Sequence, residues 1–208
     1  CLGINYADHA VESARFHEDA FLLNREKATY FSKRAYETTG SGDPIPAYEG
    51  LVTELDYEAE LGVVIGRDCK KVSENEAPNH IFGYTIVNDV SARNLQTEHN
   101  QWYFGKSLDG FTPMGPCIVT ADEVAFPPAL AISSTVNGEL RQNSNTDHLL
   151  HSVAEIISEL SQGMTLRAGT IIATGTPAGV GMGFTPPRFL KKGDVVTCEI
   201  EGIGKLTN

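Results

Sequence analysis

The densest concentration of chemistry-bearing residues is Glu54-Leu55-Asp56-Tyr57-Glu58-Ala59-Glu60, which runs directly into Leu61-Gly62-Val63-Val64-Ile65. Alternate side chains of a strand share a face, so Glu54, Asp56, Glu58 and Glu60 would project together. A solvated strand face satisfies that pattern. A buried site does too, because the run continues into apolar sequence and neighbouring carboxylates repel unless a positive charge neutralises them. A hard divalent cation such as Mg²⁺ or Mn²⁺ takes oxygen ligands of this kind. Glu58 and Glu60 form the leading pair, one residue apart on a common face.

Asp89 is the third carboxylate candidate. It ends the apolar run 81–87 just before a polar turn and a short helical stretch, where it would either cap that helix or add a ligand beside Glu58 and Glu60. Three carboxylates would leave octahedral positions to water or substrate. Gly105-Lys106-Ser107 is no phosphate loop, because Asn100 stands where that motif requires glycine. Residues 175–183 (GTPAGVGMG) lack dinucleotide-fingerprint spacing, yet a glycine-rich loop after a strand can present backbone N–H groups to a carboxylate or oxyanion. His9 and Glu12 lie three residues apart where a strand leads into a helical turn. A carboxylate at that spacing can orient and polarise an imidazole, although such pairs also arise on surfaces without function. His148 and His151 fall in the longest helical pattern and read as structural or solvent-facing.

These groups need a scaffold of short strands. Apolar runs at 60–65, 81–87, 117–120, 130–136, 170–174 and 195–200 are each bounded by Gly, Pro, Asn or Asp. Asn137-Gly138 marks a two-residue hairpin. One long helix is predicted over 147–162, with Leu150, Val153, Ala154, Ile157 and Leu160 on one face and Gly163 as its stop. Shorter helical turns are predicted at 8–16, at 73–81 (Ser73 with Glu76 as a capping box) and at 91–97. The pattern is β-rich α+β, a roll or partly open barrel of mixed sheets with a few short helices.

The chain has 208 residues, 16 basic against 27 acidic, for a formal charge of −11. That length suits a single domain. Such a chain repels a polyanion, so nucleic acid is excluded as a partner. No apolar run approaches the ~20 residues of a membrane span. Cys1, Cys69, Cys117 and Cys198 lie far apart without metal-ligand spacing, which reads as isolated buried thiols in a reducing, cytoplasmic compartment. The sequence opens at Cys1 in an alternating strand pattern, so a further N-terminal part is expected before it.

Six blocks carry a family resemblance: 3–12 (GINYADHAVE), 55–66 (LDYEAELGVVIG), 83–96 (GYTIVNDVSARNLQ), 105–116 (GKSLDGFTPMGP), 136–145 (VNGELRQNSN) and 160–183. Together they cover nearly the whole chain, and it resembles the fumarylacetoacetate hydrolase family. Its pattern is closer to the small acylpyruvase-like branch, with the oxaloacetate decarboxylases and the hydroxyhepta-diene-dioate isomerases. The resemblance implies one catalytic domain over residues 1–208, with mixed sheets rolled around a central site, usually as a homodimer. It implies Mg²⁺ or Mn²⁺, with Ca²⁺ as a substitute in crystals, on Glu58, Glu60 and Asp89. It makes Lys106 the active-site lysine and gives Arg93 and Gln96 oxyanion or substrate contacts. Gly175 and Thr176 match the substrate-carboxylate loop, and His9 with Glu12 matches a water-activating dyad. The reaction implied is C–C hydrolysis of a small 2-oxo or 1,3-diketo acid, or oxaloacetate decarboxylation. A dienedioate isomerase or decarboxylase shares the metal and enolate chemistry, and a non-catalytic metabolite-binding domain is the reading from another class. A lid over 17–36 is expected to set substrate length.

Overall fold

A computed structural model describes residues 1–13, 27–99 and 101–208. The lid expectation lies outside the described residues over 17–26. The elements are β1 (Leu2–Gly3), α1 (Ala7–Ser13), β2 (Thr29–Tyr30), β3 (Leu55–Asp56), β4 (Ala59–Ile65), β5 (Ile81–Asn88), β6 (Ser91–Ala92), α2 (Arg93–Glu98) and α3 (Tyr103–Lys106). They continue with β7 (Met114–Thr120), β8 (Ala131–Val136), β9 (Glu139–Asn145), α4 (Val153–Gly163), β10 (Ile171–Ala173), β11 (Val196–Ile200) and β12 (Gly204–Thr207). Each predicted strand run is present within a few residues.

Among the described residues two four-stranded sheets dominate, ordered β10-β4-β5-β7 and β12-β11-β8-β9, with small pairs β1-β2 and β3-β6. Their strand pairs are antiparallel; a parallel contact occurs as the isolated bridge Thr39–Pro113. The β8–β9 hairpin closes at Asn137 (φ 52°) and Gly138 (φ 79°), the double positive φ that a two-residue primed turn requires.

Period-two alternation along β4 separates core from chemistry. Ala59, Leu61, Val63 and Ile65 join a buried cluster with Tyr84 and Ile86 of β5 and with Ile132, Val136, Cys198 and Ile200 of the second sheet. Glu60 therefore points to the opposite face. Fully burying one such aliphatic side chain contributes about 1.5–3 kcal/mol, so the face assignment is strongly held.

The long helix is shorter than its periodicity predicts. Ser152 Oγ accepts from Glu155 N while the Glu155 carboxylate accepts from Ser152 N, a capping box that starts α4 at Val153. Upstream, a single 3-10 turn covers Thr146–His148. Leu150 N and His151 N are committed to Asn5 instead. His148 and His151 consequently sit outside the helix, Leu150 is exposed, and the buried face is Val153, Ile156, Ile157 and Ser161. Ser73 and Glu76 do bond, but the 3-10 turn they precede begins only at Ala77. All four thiols are free; Cys69 and Cys198 are buried, Cys1 is partly so, and Cys117 is exposed, against the expectation of uniform burial.

Candidate active site

The acidic run does not form one continuous strand. Backbone pairing stops after Asp56 and resumes at Ala59, so the four carboxylates part company. Glu54 contributes its backbone carbonyl to Arg93 N, and Asp56 turns to Arg93 and the 175–183 loop. Glu58 and Glu60 stay together and meet Asp89, which the end of β5 and the turn before β6 bring alongside. Asp89 N donates to Glu58 O at 2.9 Å, and Glu58 N donates to Asn88 Oδ1 at 3.0 Å. One oxygen from each of Glu58, Glu60 and Asp89 lies within 4.8 Å of the others, and all three residues are buried. Asp89 is not a helix cap: Ala92 occupies that position without a side-chain bond.

Three cations answer the cluster. Lys106 Nζ donates to Glu58 Oε2 at 2.7 Å and to Asp89 Oδ2 at 2.8 Å. Lys33 Nζ donates to Asp89 Oδ1 at 2.6 Å and to Val90 O at 3.0 Å. Arg93 Nη2 lies 2.6 Å from Glu58 Oε1. Burial pushes the Asp89 carboxyl up, but Lys106 and Lys33 outweigh it and hold the group well below its usual range. Burial likewise opposes ionisation of Glu58, yet Lys106 and Arg93 leave it below its usual value. Glu60 goes the other way, because burial and the Asp89 and Glu58 charges raise it well above the carboxylate range. Lys33 is lowered, because burial and the neighbouring Lys106 charge outweigh Asp89 and Glu58, whereas Lys106, bonded to both carboxylates, ends raised.

Glu60 Oε2 accepts from Gly175 N at 2.8 Å, while buried Glu60 Oε1 has no hydrogen-bond partner among the described residues. A buried acceptor without a donor is costly. Together with the oxygen-only donor set, it fits a hard divalent cation at Glu58, Glu60 and Asp89.

His9 and Glu12 pair on α1, with His9 Nδ1 2.9 Å from Glu12 Oε2. A carboxylate can only accept, so Nδ1 carries the proton and Nε2 is left as the acceptor. Glu12 Oε1 also accepts from Gly179 N at 3.0 Å, which ties α1 to the glycine-rich loop. Arg93 Nη1 donates to Gln96 Oε1 at 3.0 Å, so the Gln96 amide NH₂ is the free donor end. Thr176 Oγ1 donates to Ala59 O and receives Gln142 Nε2.

These groups converge on a cavity of about 390 Å³, lined by His9, Glu58, Glu60, Arg93, Gln96 and Lys106. Thr176 adds to the polar lining, and Phe31, Trp102 and Met182 supply apolar wall. The volume suits a small metabolite. Sequence reasoning missed Lys33 and placed Asp56 with the wrong partners. Lys33 sits in the unpatterned stretch Phe31-Ser32-Lys33-Arg34, which carries no signal for a buried ammonium.

The antiparallel β-roll thus gathers three buried carboxylates, a lysine–arginine counter-charge and a His–Glu pair around one cavity. The chain belongs to the fumarylacetoacetate hydrolase family: residues 1–208 match the family model described as fumarylacetoacetate (FAA) hydrolase C-terminal. It is 47% identical over 208 residues to oxaloacetate tautomerase YisK of Bacillus subtilis, covering 100% of this chain and 67% of that protein. The chain thus spans about two thirds of that relative's length. A fumarylacetoacetate hydrolase from Exiguobacterium antarcticum superposes with a TM-score of 0.90 at 47% identity, covering 100% of this chain and 72% of that one. Fumarylpyruvate hydrolase from Pseudomonas aeruginosa, solved with Mn²⁺ and pyruvate, gives a TM-score of 0.84 at 34% identity, covering 100% and 86%. No helix among the described residues is long and apolar enough to cross a membrane.

Proposed function

We propose that this chain is the catalytic domain of a divalent-metal-dependent enzyme acting on a small 2-oxo or 1,3-diketo acid, cleaving a C–C bond by hydrolysis of the acylpyruvate type. The observation that carries the reading is the His9–Glu12 pair, 2.9 Å apart at the wall that also presents Glu58 and Glu60. Glu58, Glu60 and Asp89 would hold Mg²⁺ or Mn²⁺, which when bound would supply a Lewis acid to the substrate. His9 Nε2 accepts a proton from water as its oxygen bonds to the distal carbonyl carbon, and Glu12 stabilises the resulting imidazolium. The C–C bond then breaks with its electron pair passing to the 2-oxo fragment as an enolate, which a proton quenches. Lys106, Arg93 and the Gln96 amide face the negative charge that develops on oxygen. Thr176 lines the polar wall beside the substrate carboxylate, its hydroxyl proton already given to Ala59 O, and Gly175 contributes by fixing Glu60. Residues 1–208 act as one domain, in a cytoplasmic homodimer.

A second reading, oxaloacetate tautomerisation or decarboxylation, is favoured by the 47% identity to a protein named oxaloacetate tautomerase. It uses the same enolate and needs no attacking water; a dienedioate isomerase would share that economy. Assay of acylpyruvates, oxaloacetate and a hydroxymuconate-type diene, each with Mn²⁺ or with EDTA, separates them. Mn²⁺-dependent acylpyruvate cleavage supports hydrolysis, and turnover of oxaloacetate alone supports the second reading. Silence on all substrates with Mn²⁺ present would leave a metabolite-binding domain.

A further inference from the structure

The glycine-rich loop looks like an anion cradle, yet four of its N–H groups are taken by the chain's own carboxylates. Gly175 N donates to Glu60, Gly179 N to Glu12, Gly181 N to Asp56 Oδ1 at 2.6 Å and Met182 N to Asp56 Oδ2 at 3.0 Å. Glu60 and Glu12 have roles in the proposed reaction. Asp56 has none, lies off the cavity wall, and is fully buried.

Its four bonds join two walls of the site. Oδ1 takes Gly181 N and Tyr57 N at 2.9 Å, while Oδ2 takes Met182 N and Arg93 Nε at 2.9 Å. With Nε held there, Arg93 hydrogen-bonds Gln96 Oε1 through Nη1, and Nη2 lies 2.6 Å from Glu58 Oε1 as an ion pair without hydrogen-bond alignment. A planar guanidinium fixed at three corners has one orientation. Residue 181 must be glycine for the approach, since a Cβ would lie 2.6 Å from Asp56 Oδ1 and 2.7 Å from Arg188 O.

We propose that Asp56 is a positioning residue, aiming Arg93, and through it Gln96, at the substrate while locking the 179–183 loop behind Met182. The inference rests on the reading above only in taking Arg93 and Gln96 to face the substrate. Asp56→Asn keeps the shape and loses the charge and half the acceptor capacity. Gly181→Ala keeps the carboxylate and displaces it, which guards against one variant failing to fold.

The test uses the full chain loaded with Mn²⁺ and oxalate as the probe, by titration calorimetry on the parent, D56N, G181A, Arg93→Lys and the D56N/R93K pair. D56N, G181A and R93K are each expected to weaken oxalate about ten- to hundredfold, the scale of lost positioning. The double variant should be no weaker than the worse single, while the Kd for Mn²⁺ stays at the parent value in D56N and G181A. Amide exchange over 179–183 should accelerate in D56N and G181A but not in R93K. Unchanged oxalate binding in D56N, losses that multiply in the double variant, or unaltered loop exchange would each overturn the proposal. A parent that binds Mn²⁺ but not oxalate would sink the functional reading instead; the exchange comparison would then still decide whether Asp56 holds the loop.

Discussion

Glu12→Gln isolates the water-activating pair. The Glu12 carboxylate accepts twice, from His9 Nδ1 at 2.9 Å and from Gly179 N at 3.0 Å. A glutamine has one acceptor oxygen. If that oxygen keeps Gly179, the NH₂ faces Nδ1 and forces the ring proton onto Nε2, the end that must accept from water. If the amide turns, Gly179 N–H loses its acceptor. A hydrogen bond to a charged group is worth about 1.5–3 kcal/mol, which at about 1.36 kcal/mol per decade is about ten- to 160-fold in rate. Inverting the tautomer of a catalytic histidine costs about 10⁴ in the serine-protease triad. We expect kcat for acylpyruvate cleavage to fall by about 10² to 10⁴, the span between those two costs, with Mn²⁺ affinity at the parent value and the variant still folded. The assay is the loss of enol absorbance of the diketo acid under saturating Mn²⁺, with oxaloacetate enolisation measured alongside. Cleavage at the parent rate in a folded, metal-loaded variant would refute the dyad.

Further outcomes follow from the same geometry. Mn²⁺ at a hundred times its Kd should stabilise the fold by about 2.7 kcal/mol, a rise of about 5–11 °C in Tm at this chain length; Asp89→Asn should abolish most of the rise in a thermal melt. Gly183→Ala would put a methyl where the Glu12 carboxylate lies, so it should depress acylpyruvate cleavage as Glu12→Gln does while leaving Mn²⁺ calorimetry unchanged. Burial pushes the Cys198 thiol up to about 12, so iodoacetamide at pH 8 should label exposed Cys117 and spare Cys198 until the protein unfolds, as read by peptide mass. Ile157→Ala removes a fully buried side chain of α4 and should cost about 2–5 kcal/mol in urea unfolding.

The strands were legible because β-punctuation is local: runs of branched and aromatic residues end at Gly, Pro, Asn or Asp whatever they pair with. The Asn137-Gly138 hairpin was legible for the same reason, since only such residues tolerate positive φ at both turn positions. The start of α4 was misplaced although its signal was present. Ser152 and Glu155 stand at capping-box spacing, but Leu150 extends the apolar periodicity beyond that box, and the pairing of residues 149–151 with Asn5 and Tyr6 is not local. Glu58, Glu60 and Asp89 were recoverable from alternation and from the position of a strand end. Lys33 was not, because it meets Asp89 across a sequence separation of 56 that no periodicity encodes. Asp56 shows the limit of alternation: a break after two paired residues of β3 turns it to the Gly181 and Met182 backbone, while it still shares Arg93 with Glu58.

The net charge of −11 describes the surface and misdescribes the pocket. At the site Asp56, Glu58, Glu60 and Asp89 stand against Lys33, Arg93 and Lys106, all seven of them buried. Taking that many charges out of water is unfavourable unless each is paired, and Glu60 Oε1 is the acceptor left over. Without a metal Glu60 is held toward its neutral form; one divalent cation there would favour its ionisation and leave the cluster, four carboxylates against three basic groups and the ion, with a single excess positive charge. The acidic chain can then hold an anionic substrate without a basic surface, because the attraction acts in a small, poorly hydrated cavity where charge separations are felt most strongly. Lys33 strengthens this balance without lining the cavity. It neutralises Asp89 through Oδ1 while Lys106 takes Oδ2, so the carboxylate stays ionised beside Glu58.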